Sequence, residues 1–309
     1  MSGQNSEKIG NVLLNYQFYK GNDQYSDGDI EDTLLRIVQQ DEPYEDVLMR
    51  ENEWALLYHL SPIRENLLEW YDFGEGKSLL EIGAGCGGIT GLFCRKCDRV
   101  VAIDLSRRRS MINAHRNKAA DNLEIVVGNF EDIRIEEKFD YVTLIGVLEY
   151  SIYYINSPSP FVDMLKRAKA YLKPGGKLII AIENKYGIKY WAGAREDHTG
   201  NLMDGITGYS GVERVRTFSK EGLETLLGEA GFSGLEFYYP LPDYKLPTQV
   251  FSQWHLPKTY PFAANTPNYD RERYSFFDEA MAMDGLIQEG KFEMFANSYL
   301  VFCEGGAKQ

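Results

Sequence analysis

Cysteine is scarce in this sequence: Cys86, Cys94, Cys97 and Cys303 are the four among 309 residues. So few thiols offer no disulfide framework and fit a reducing compartment. Cys94 and Cys97 form a lone CxxC pair. A structural zinc site wants a second ligand pair at suitable spacing, and the histidines, His59, His115, His198 and His255, are scattered. Buried thiols on a helix are the expectation, with no metal. No apolar run approaches the length of a membrane span, and the polar stretch Met1–Gly10 does not read as a signal peptide. Basic residues are outnumbered, 33 against 46 acidic, for a formal net charge of −13. A field of that sign repels phosphate backbones, so nucleic acid is not an expected partner. Arg107, Arg108 and Arg109 read as the solvated start of a helix. Together these absences point to a cytoplasmic protein with a small-molecule partner.

What the chain does have is apolar material for a core, 44% of its residues, and 21 tyrosines. Tyrosine packs and hydrogen-bonds at once, which suits polar ligand pockets. Residues 1–76 read as a helical extension or lid. Asp29–Gln40 places Ile30, Leu34, Leu35, Ile37 and Val38 roughly on one face, and Glu51–Trp70 is a second helical stretch restarted at Ser61-Pro62. Tyr25-Ser26-Asp27-Gly28 between them is turn chemistry.

From Lys77 strands and helices alternate. Strands are expected at Ser78–Ile82, Arg99–Ile103, Leu123–Val127, Asp140–Ile145, Lys177–Ile182, Leu235–Tyr239 and Ser298–Cys303. Helices are expected at Gly88–Lys96, Arg108–Ala120, Phe161–Leu172 and Ser219–Ala230, the last with Ser219 as N-cap and Gly231 at its end. Alternation of this kind predicts an α/β, Rossmann-like, mostly parallel sheet over 77–309, which binds ligands at the carboxyl ends of its strands. Residues 184–217 and 241–297 interrupt the alternation. They are rich in Tyr, Gly, Pro and Asp, and are expected to cover the strand ends, with local helix in Ser275–Gln288.

The strongest local signal is Leu79-Leu80-Glu81-Ile82-Gly83-Ala84-Gly85-Cys86-Gly87-Gly88. Glycines after a buried strand let the backbone turn sharply and approach a ligand, and the following helix presents unpaired N–H groups. A dinucleotide could use such a loop, but Glu81 would repel a pyrophosphate. A ligand bearing a sulfonium, an ammonium and a carboxylate suits an acid-bearing loop better. Asp104 stands about twenty residues further on, the spacing expected of a ribose-hydroxyl acceptor, with Leu105 beside it. The third strand runs into Gly128-Asn129-Phe130-Glu131-Asp132, where Asn129 and Phe130 offer an edge and a flat face to an adenine. The fourth ends in Gly146-Val147-Leu148-Glu149-Tyr150.

These four stations, in this order, resemble the class I S-adenosylmethionine (SAM)-dependent methyltransferases. LKPGGKLIIAIEN is similar to the family's fifth-strand approach, and TFSKEGLETLLGEAGF to a later helix. The match is close over about Lys77–Glu183. The resemblance implies SAM as cofactor, a seven-stranded sheet with an antiparallel last strand, here Ser298–Cys303, and a cofactor site drawn from Glu81, Gly83, Ala84, Gly85, Gly87, Asp104, Leu105, Asn129, Phe130 and Gly146. Two departures stand out. Glu149-Tyr150 occupies a place where many relatives have an acid followed by His, and the insertion before the last strand is long. WALLYHLSPIRENLLEW, ENKYGIKYWAGAREDHTG and YPLPDYKLPTQVFS resemble, more loosely, a bacterial methyltransferase group met beside surface-polysaccharide and glycosyltransferase genes. That implies a sugar or nucleotide-linked sugar as acceptor.

Methyl transfer from a sulfonium needs an aligned nucleophile, and for an alcohol a group to take its proton. His198 is the first choice as base, since a histidine titrates near neutrality. Glu149 and Tyr186 are the other catalytic candidates, with Tyr190 and the pair Asp243 and Tyr244 in support. Arg64 is placed against the SAM carboxylate, and Tyr16, Tyr25 and Tyr58 near the same site. Transfer to an amine or carboxylate, a NAD-dependent dehydrogenase, and a non-catalytic SAM-fold partner subunit are the competing readings.

Overall fold

A computed structural model describes residues 6–23, 26, 28–40, 42–209, 215–267 and 273–306. The chain divides into two compact units, residues 1–144 with 171–177, and residues 145–170 with 178–309.

The first unit opens with strands β1 (Ser6–Ile9) and β2 (Val12–Phe18), an antiparallel hairpin. Helices α1 (Ile30–Gln40), α2 (Tyr44–Arg50) and α3 (Trp54–Leu60) follow, and then a 3-10 turn at Pro62–Leu67. Alternation begins with β3 (Ser78–Ile82), α4 (Thr90–Lys96), β4 (Arg99–Asp104), α5 (Arg107–Arg116), β5 (Leu123–Gly128) and β6 (Phe139–Ile145). The strand order here is β1-β2-β5-β4-β3-β6. β3 is parallel to β4 and β6, β4 to β5, and β5 to β2. The chain moves outward from β3 to β5 and returns to the other side of β3 with β6. The order therefore reverses at β3, which places the glycine loop after β3 at the switch point where such sheets bind ligands.

The N-terminal extension is not wholly helical, contrary to the sequence expectation. Val12 and Leu14 are buried while Leu13 and Asn15 are not, a period-2 pattern that adds β2 to the edge of the sheet at β5. The helical part forms as the periodicity predicts. Leu34, Ile37 and Val38 of α1 pack with Val47, Leu56, Leu60, Cys86 and Ile112. Ser61 begins the 3-10 turn, its hydroxyl accepting from the Ile63 N–H, with Pro62 next.

At the amino end of β3, Asp140 accepts from the Ser78 N–H and hydroxyl, each at 2.9 Å, and from Lys173 Nζ at 2.7 Å. Burial opposes its ionisation, but the Lys173 ammonium and the Ser78 donors overcome that and hold its pKa at about 2. A folded pKa below the unfolded one gives stability that is complete above about pH 4. It is lost as pH falls through about 2. The contribution is about 2 kcal/mol. Asp140→Asn should therefore flatten the acid limb of a urea-unfolding series between about pH 4 and 2.

The second unit holds a 3-10 turn at Leu148–Tyr150, α6 (Ser151–Tyr154) and α7 (Pro160–Lys169). β7 (Leu172–Glu183) has its first residues, to Lys177, in the first unit. α8 (Ile188–Trp191), α9 (Lys220–Glu229), β8 (Ser233–Leu241), β9 (Gln249–Ser252), α10 (Glu279–Gln288), α11 (Phe292–Phe295) and β10 (Ser298–Glu304) complete it. Its strand order is β7-β10-β8-β9. β10 runs antiparallel to β8, as the last strand was expected to. Ser219 caps α9 by accepting from the Gly222 N–H. β7 begins five residues before the expected Lys177, because Gly175 and Gly176 continue the strand instead of ending a helix.

The described strands number ten, not the expected seven. The additions are β1, β2 and β9, which lie outside the stretches whose alternation was read. Residues 184–217 and 241–297 are not structureless: they carry α8, β9, α10 and α11. No helix among the described residues is long and apolar enough to cross a membrane.

Candidate functional site

β3 is buried along its whole length, and the chain leaves it through three glycines with positive φ, Gly83, Gly85 and Gly87. The loop folds back on β4. The N–H groups of Gly83 and Ala84 both donate to the Ile103 carbonyl, at 2.8 and 3.0 Å. Asp104, the last residue of β4, then clamps the loop. Its Oδ2 accepts from the Gly85 N–H at 2.8 Å, and its Oδ1 from the Ser106 N–H at 2.9 Å. Burial raises the Asp104 pKa, against the pull of Arg109 and of the two backbone donors. Each carboxylate oxygen retains a second acceptor position.

Glu81 does not face outward from the loop. Its Oε2 accepts from the Thr90 hydroxyl at 2.6 Å, and Thr90 Oγ1 accepts from Asn113 Nδ2 at 3.1 Å. Burial pushes the Glu81 pKa up to about 8, against the Thr90 hydrogen bond and the Arg64 charge. Arg64 is itself buried, with its guanidinium 4.0 Å over the Tyr58 ring. A Cβ on Gly88 would lie 2.7 Å from Arg64 Nε, so Arg64 packs directly on the loop. α4 starts at Thr90, two residues later than expected, because Gly87 and Gly88 still belong to the turn.

The other cofactor candidates have local roles of their own. Leu105 follows Asp104 and is partly exposed. Asn129 Oδ1 accepts from the Glu131 N–H at 2.9 Å and shapes the turn after β5. Phe130 is buried against Tyr171, ring centroids 5.7 Å apart. Gly146 has a φ of +67°, and its N–H donates to Ala181. Tyr16 bonds Glu7 and lies under Arg107, and Tyr25 falls outside the described residues. Sequence reasoning missed Asp23, which accepts from the Ser106 hydroxyl and the Arg107 and Arg108 N–H groups and so caps α5. It also missed Arg109, whose charge acts on Asp104, and Asn113. The spacing Ser106-x-x-Arg109, directly after Asp104, was the available signal.

Gly87→Ala is the sharpest probe of this packing. Gly87 has a φ of +76°, and an added Cβ would strike Asn113 Oδ1, which already accepts from Asn117 Nδ2. The backbone cost of about 1–2 kcal/mol adds to about 1 kcal/mol for the disturbed Asn113 bonds. Chemical denaturation should show a loss of roughly 2–3 kcal/mol; a neutral result would mean that the loop is free to rearrange.

The catalytic candidates lie in the second unit. Glu149 sits in the 3-10 turn after β6, and Glu183 is the last residue of β7. Residues 195–202 form a tight loop, closed by a bridge between Arg195 and Leu202, which carries Glu196, Asp197 and His198 inward. His198 Nδ1 lies 3.1 Å from Glu196 Oε1, and its Nε2 lies 3.7 Å from Glu149 Oε1. Tyr150 meets the imidazole edge-on. Burial lowers the His198 pKa, but Glu149, Glu196 and Glu183 outweigh it and hold the pKa well above the usual histidine value. The neutral titration that recommended His198 as base is therefore not what this environment provides. Glu149 is buried with neither carboxylate oxygen hydrogen-bonded, and Glu183 Oε2 shares that state.

Around them runs an ion network that the sequence did not reveal. Lys189 Nζ reaches Asp197 at 3.0 Å and Asp243 at 3.6 Å. Lys245 Nζ bonds Glu183 and reaches Asp197 Oδ1 at 2.8 Å. Tyr190 donates to Asp197, and Tyr209 to Glu196 at 3.1 Å. Tyr186 is not drawn in: its ring lies under the Lys185 ammonium and its carbonyl accepts from Trp191. Asn184 is structural, its amide donating to the Met294 and Ala296 carbonyls.

With this geometry in view, the likeness to known proteins can be placed. Residues 80–180 match the family described as methyltransferase domain. That segment contains the glycine loop, Asp104 and Glu149. The chain is 27% identical over 129 residues to the mitochondrial ubiquinone biosynthesis O-methyltransferase of Dictyostelium discoideum, covering 38% of each. It is 28% identical over 133 residues to the ubiquinone biosynthesis O-methyltransferase of Coxiella burnetii, covering 42% of this chain and 53% of the relative. The chain thus spans about half or less of the length of these relatives. Among solved structures, the N-methyltransferase NodS of Bradyrhizobium japonicum, in complex with S-adenosylhomocysteine, is 16% identical, with 85% of this chain and 98% of that one covered and a TM-score of 0.44.

Proposed function

We propose that this chain is a SAM-dependent methyltransferase whose acceptor is a small polar molecule, specifically a hydroxyl of a sugar or nucleotide-linked sugar. The observation that carries the cofactor is Asp104: a buried carboxylate at a strand end, clamped to the glycine loop, with one acceptor position left on each oxygen. Paired ribose hydroxyls match it. Arg109 packs on Gly85, where an added Cβ would lie 3.0 Å from its Nη2, so the guanidinium stands directly beside the loop. Arg64, which packs on the loop, is the proposed partner of the SAM carboxylate, and Glu81, bonded inward to Thr90, is proposed to brace the loop. Ala84, Leu105, Asn129 and Phe130 complete the proposed cofactor surface.

When bound, SAM supplies an electrophilic methyl group on a sulfonium. The chain's own task is to bind, orient and exclude water. The unbonded Glu149 oxygens are acceptors for the hydroxyl proton of a substrate. His198, held by Glu196, positions Glu149. The polar residues of 184–217 and 241–297 are where a sugar's hydroxyls would be recognised. An acceptor site lined by carboxylates suits a polyol, which donates a hydrogen bond from every hydroxyl.

Calorimetric titration with SAM and with S-adenosylhomocysteine tests the cofactor, and mass spectrometry of sugars and nucleotide sugars incubated with SAM tests the acceptor. Saturable binding of both ligands, with a methylated sugar, is the expected result. Binding of NAD without SAM would defeat the reading. Methylation of amines alone would replace the acceptor and keep the cofactor.

A further inference from the structure

Glu149, Glu183 and His198 each offer one ligand atom to a common point, and these atoms lie within 4.8 Å of one another. Glu149 is 1% exposed and Glu183 is fully buried. Three of their four carboxylate oxygens have no hydrogen-bond donor. A buried carboxylate oxygen left without a partner keeps the full cost of its lost hydration. The neighbouring cations do not relieve that cost. Lys189 is engaged with Asp197 and Asp243, and Lys245 with Asp197 and the other oxygen of Glu183. In the ion pairs seen among the described residues, five carboxylates, those of Glu149, Glu183, Glu196, Asp197 and Asp243, meet two lysines and one imidazole. The deficit is of positive charge, and it is concentrated at Glu149 and Glu183.

We infer that Glu149, Glu183 and His198 form a binding site for one divalent transition-metal ion. The imidazole geometry favours an ion over a purely protein-internal network. Metal-bound histidines almost always donate their other ring N–H to a carboxylate, which fixes the ring and its tautomer. His198 has that arrangement, with Nδ1 on Glu196 Oε1 at 3.1 Å and Nε2 turned to Glu149. Glu196 is held in turn by Tyr209 and by the N–H groups of His198 and Thr199. The Nε2 to Glu149 Oε1 separation is 3.7 Å. Two tetrahedral ligand atoms, each about 2.1 Å from one ion, sit roughly 3.4 Å apart. Only a small closure is needed. Imidazole with two carboxylates suits manganese, iron or zinc, and three protein ligands leave positions open for outside oxygens. One Glu149 oxygen can ligate while the other stays free to accept a proton. A sugar hydroxyl in an open position would be polarised by the ion. That use rests on the methyltransferase reading; the binding itself does not.

The test uses the full-length chain, stripped with chelator and titrated with Mn2+, followed by the electron-paramagnetic-resonance signal of the free ion, and with Zn2+ against a chromophoric chelator. One saturable site per chain is expected. Glu149→Gln and Glu183→Gln keep shape while removing charge, and each should weaken binding by roughly tenfold or more; Glu196→Gln should weaken it about 10–100-fold by freeing the ring. A SAM titration of the same stripped samples reports separately on folding of the first unit and on the cofactor reading. SAM binding without a saturable metal site overturns the metal inference alone. Metal binding that the three variants leave unchanged overturns it too, because the ion then sits elsewhere. Metal binding with the predicted losses but no SAM affinity supports the site and defeats the methyltransferase reading.

Discussion

Replacing Asp104 with alanine is expected to weaken SAM binding by roughly 100-fold or more. Two hydroxyl donors on one carboxylate make charge-assisted hydrogen bonds of about 1.5–3 kcal/mol each, and their loss alone reaches that figure. A second cost follows from the loop. Asp104 also accepts from Gly85 and Ser106, so its removal releases the glycine turn and the start of α5 together. Asp104→Asn separates the two effects. It keeps one acceptor oxygen but sets an NH2 group against a backbone N–H, so it should retain the fold and lose most of the affinity. Calorimetry on both variants, with circular dichroism to confirm folding, decides the matter. Affinity unchanged in a folded Asp104→Ala protein would mean that the carboxylate serves the loop alone.

The glycine-loop part of the molecule was legible because its signals are local. Leu79–Ile82 is a short apolar run ending in glycines, and Asp104 follows at a spacing set by one helix and one strand. Those features survive in a linear reading. Glu81 shows where that reading stops. Its position in the loop motif was plain, but its inward turn onto Thr90 depends on Asn113, 32 positions away in α5. The hairpin β1–β2 was hidden for a different reason: strands of 4 and 7 residues at a sheet edge bury few side chains, so their alternation is faint. Of the CxxC pair, expected as buried thiols on a helix, Cys94 lies half-buried on α4 and Cys97 is buried one residue past its end. Cys97 is buried and its pKa is pushed up by burial to about 12, which makes it an inert packing residue.

The second unit was legible only in part. Glu149, His198 and Asp243 stood out as polar residues beside apolar strands. Their partners did not, since Lys189 and Lys245 are 56 positions apart and look like ordinary surface lysines in sequence. Lys189 is buried in the fold and Lys245 largely so, with side-chain exposures of 7% and 14%. A lysine without an acidic neighbour in sequence gives no hint of a buried pair; only the return of the chain after β8 brings Lys245 to Glu183.

Lys245→Met should accordingly be among the most damaging single changes, with a loss of about 3–5 kcal/mol in unfolding free energy. The reason is asymmetry. Methionine fills the space of the lysine stem, so packing is nearly preserved. What remains is Glu183, fully buried, with its other oxygen already unbonded, and Asp197 with one of its two lysines gone. Glu183 is then left in low dielectric without its cation and must lose its charge or draw in water, while Asp197, partly exposed, keeps Lys189. Urea unfolding gives the magnitude. The double variant Lys245→Met, Glu183→Gln should recover part of the loss, because it removes the orphaned charge along with its partner. Recovery is the informative outcome. If the double variant is as unstable as the sum of the single ones, Lys245 acts mainly through Asp197, and Glu183 is then held by something other than the lysine beside it.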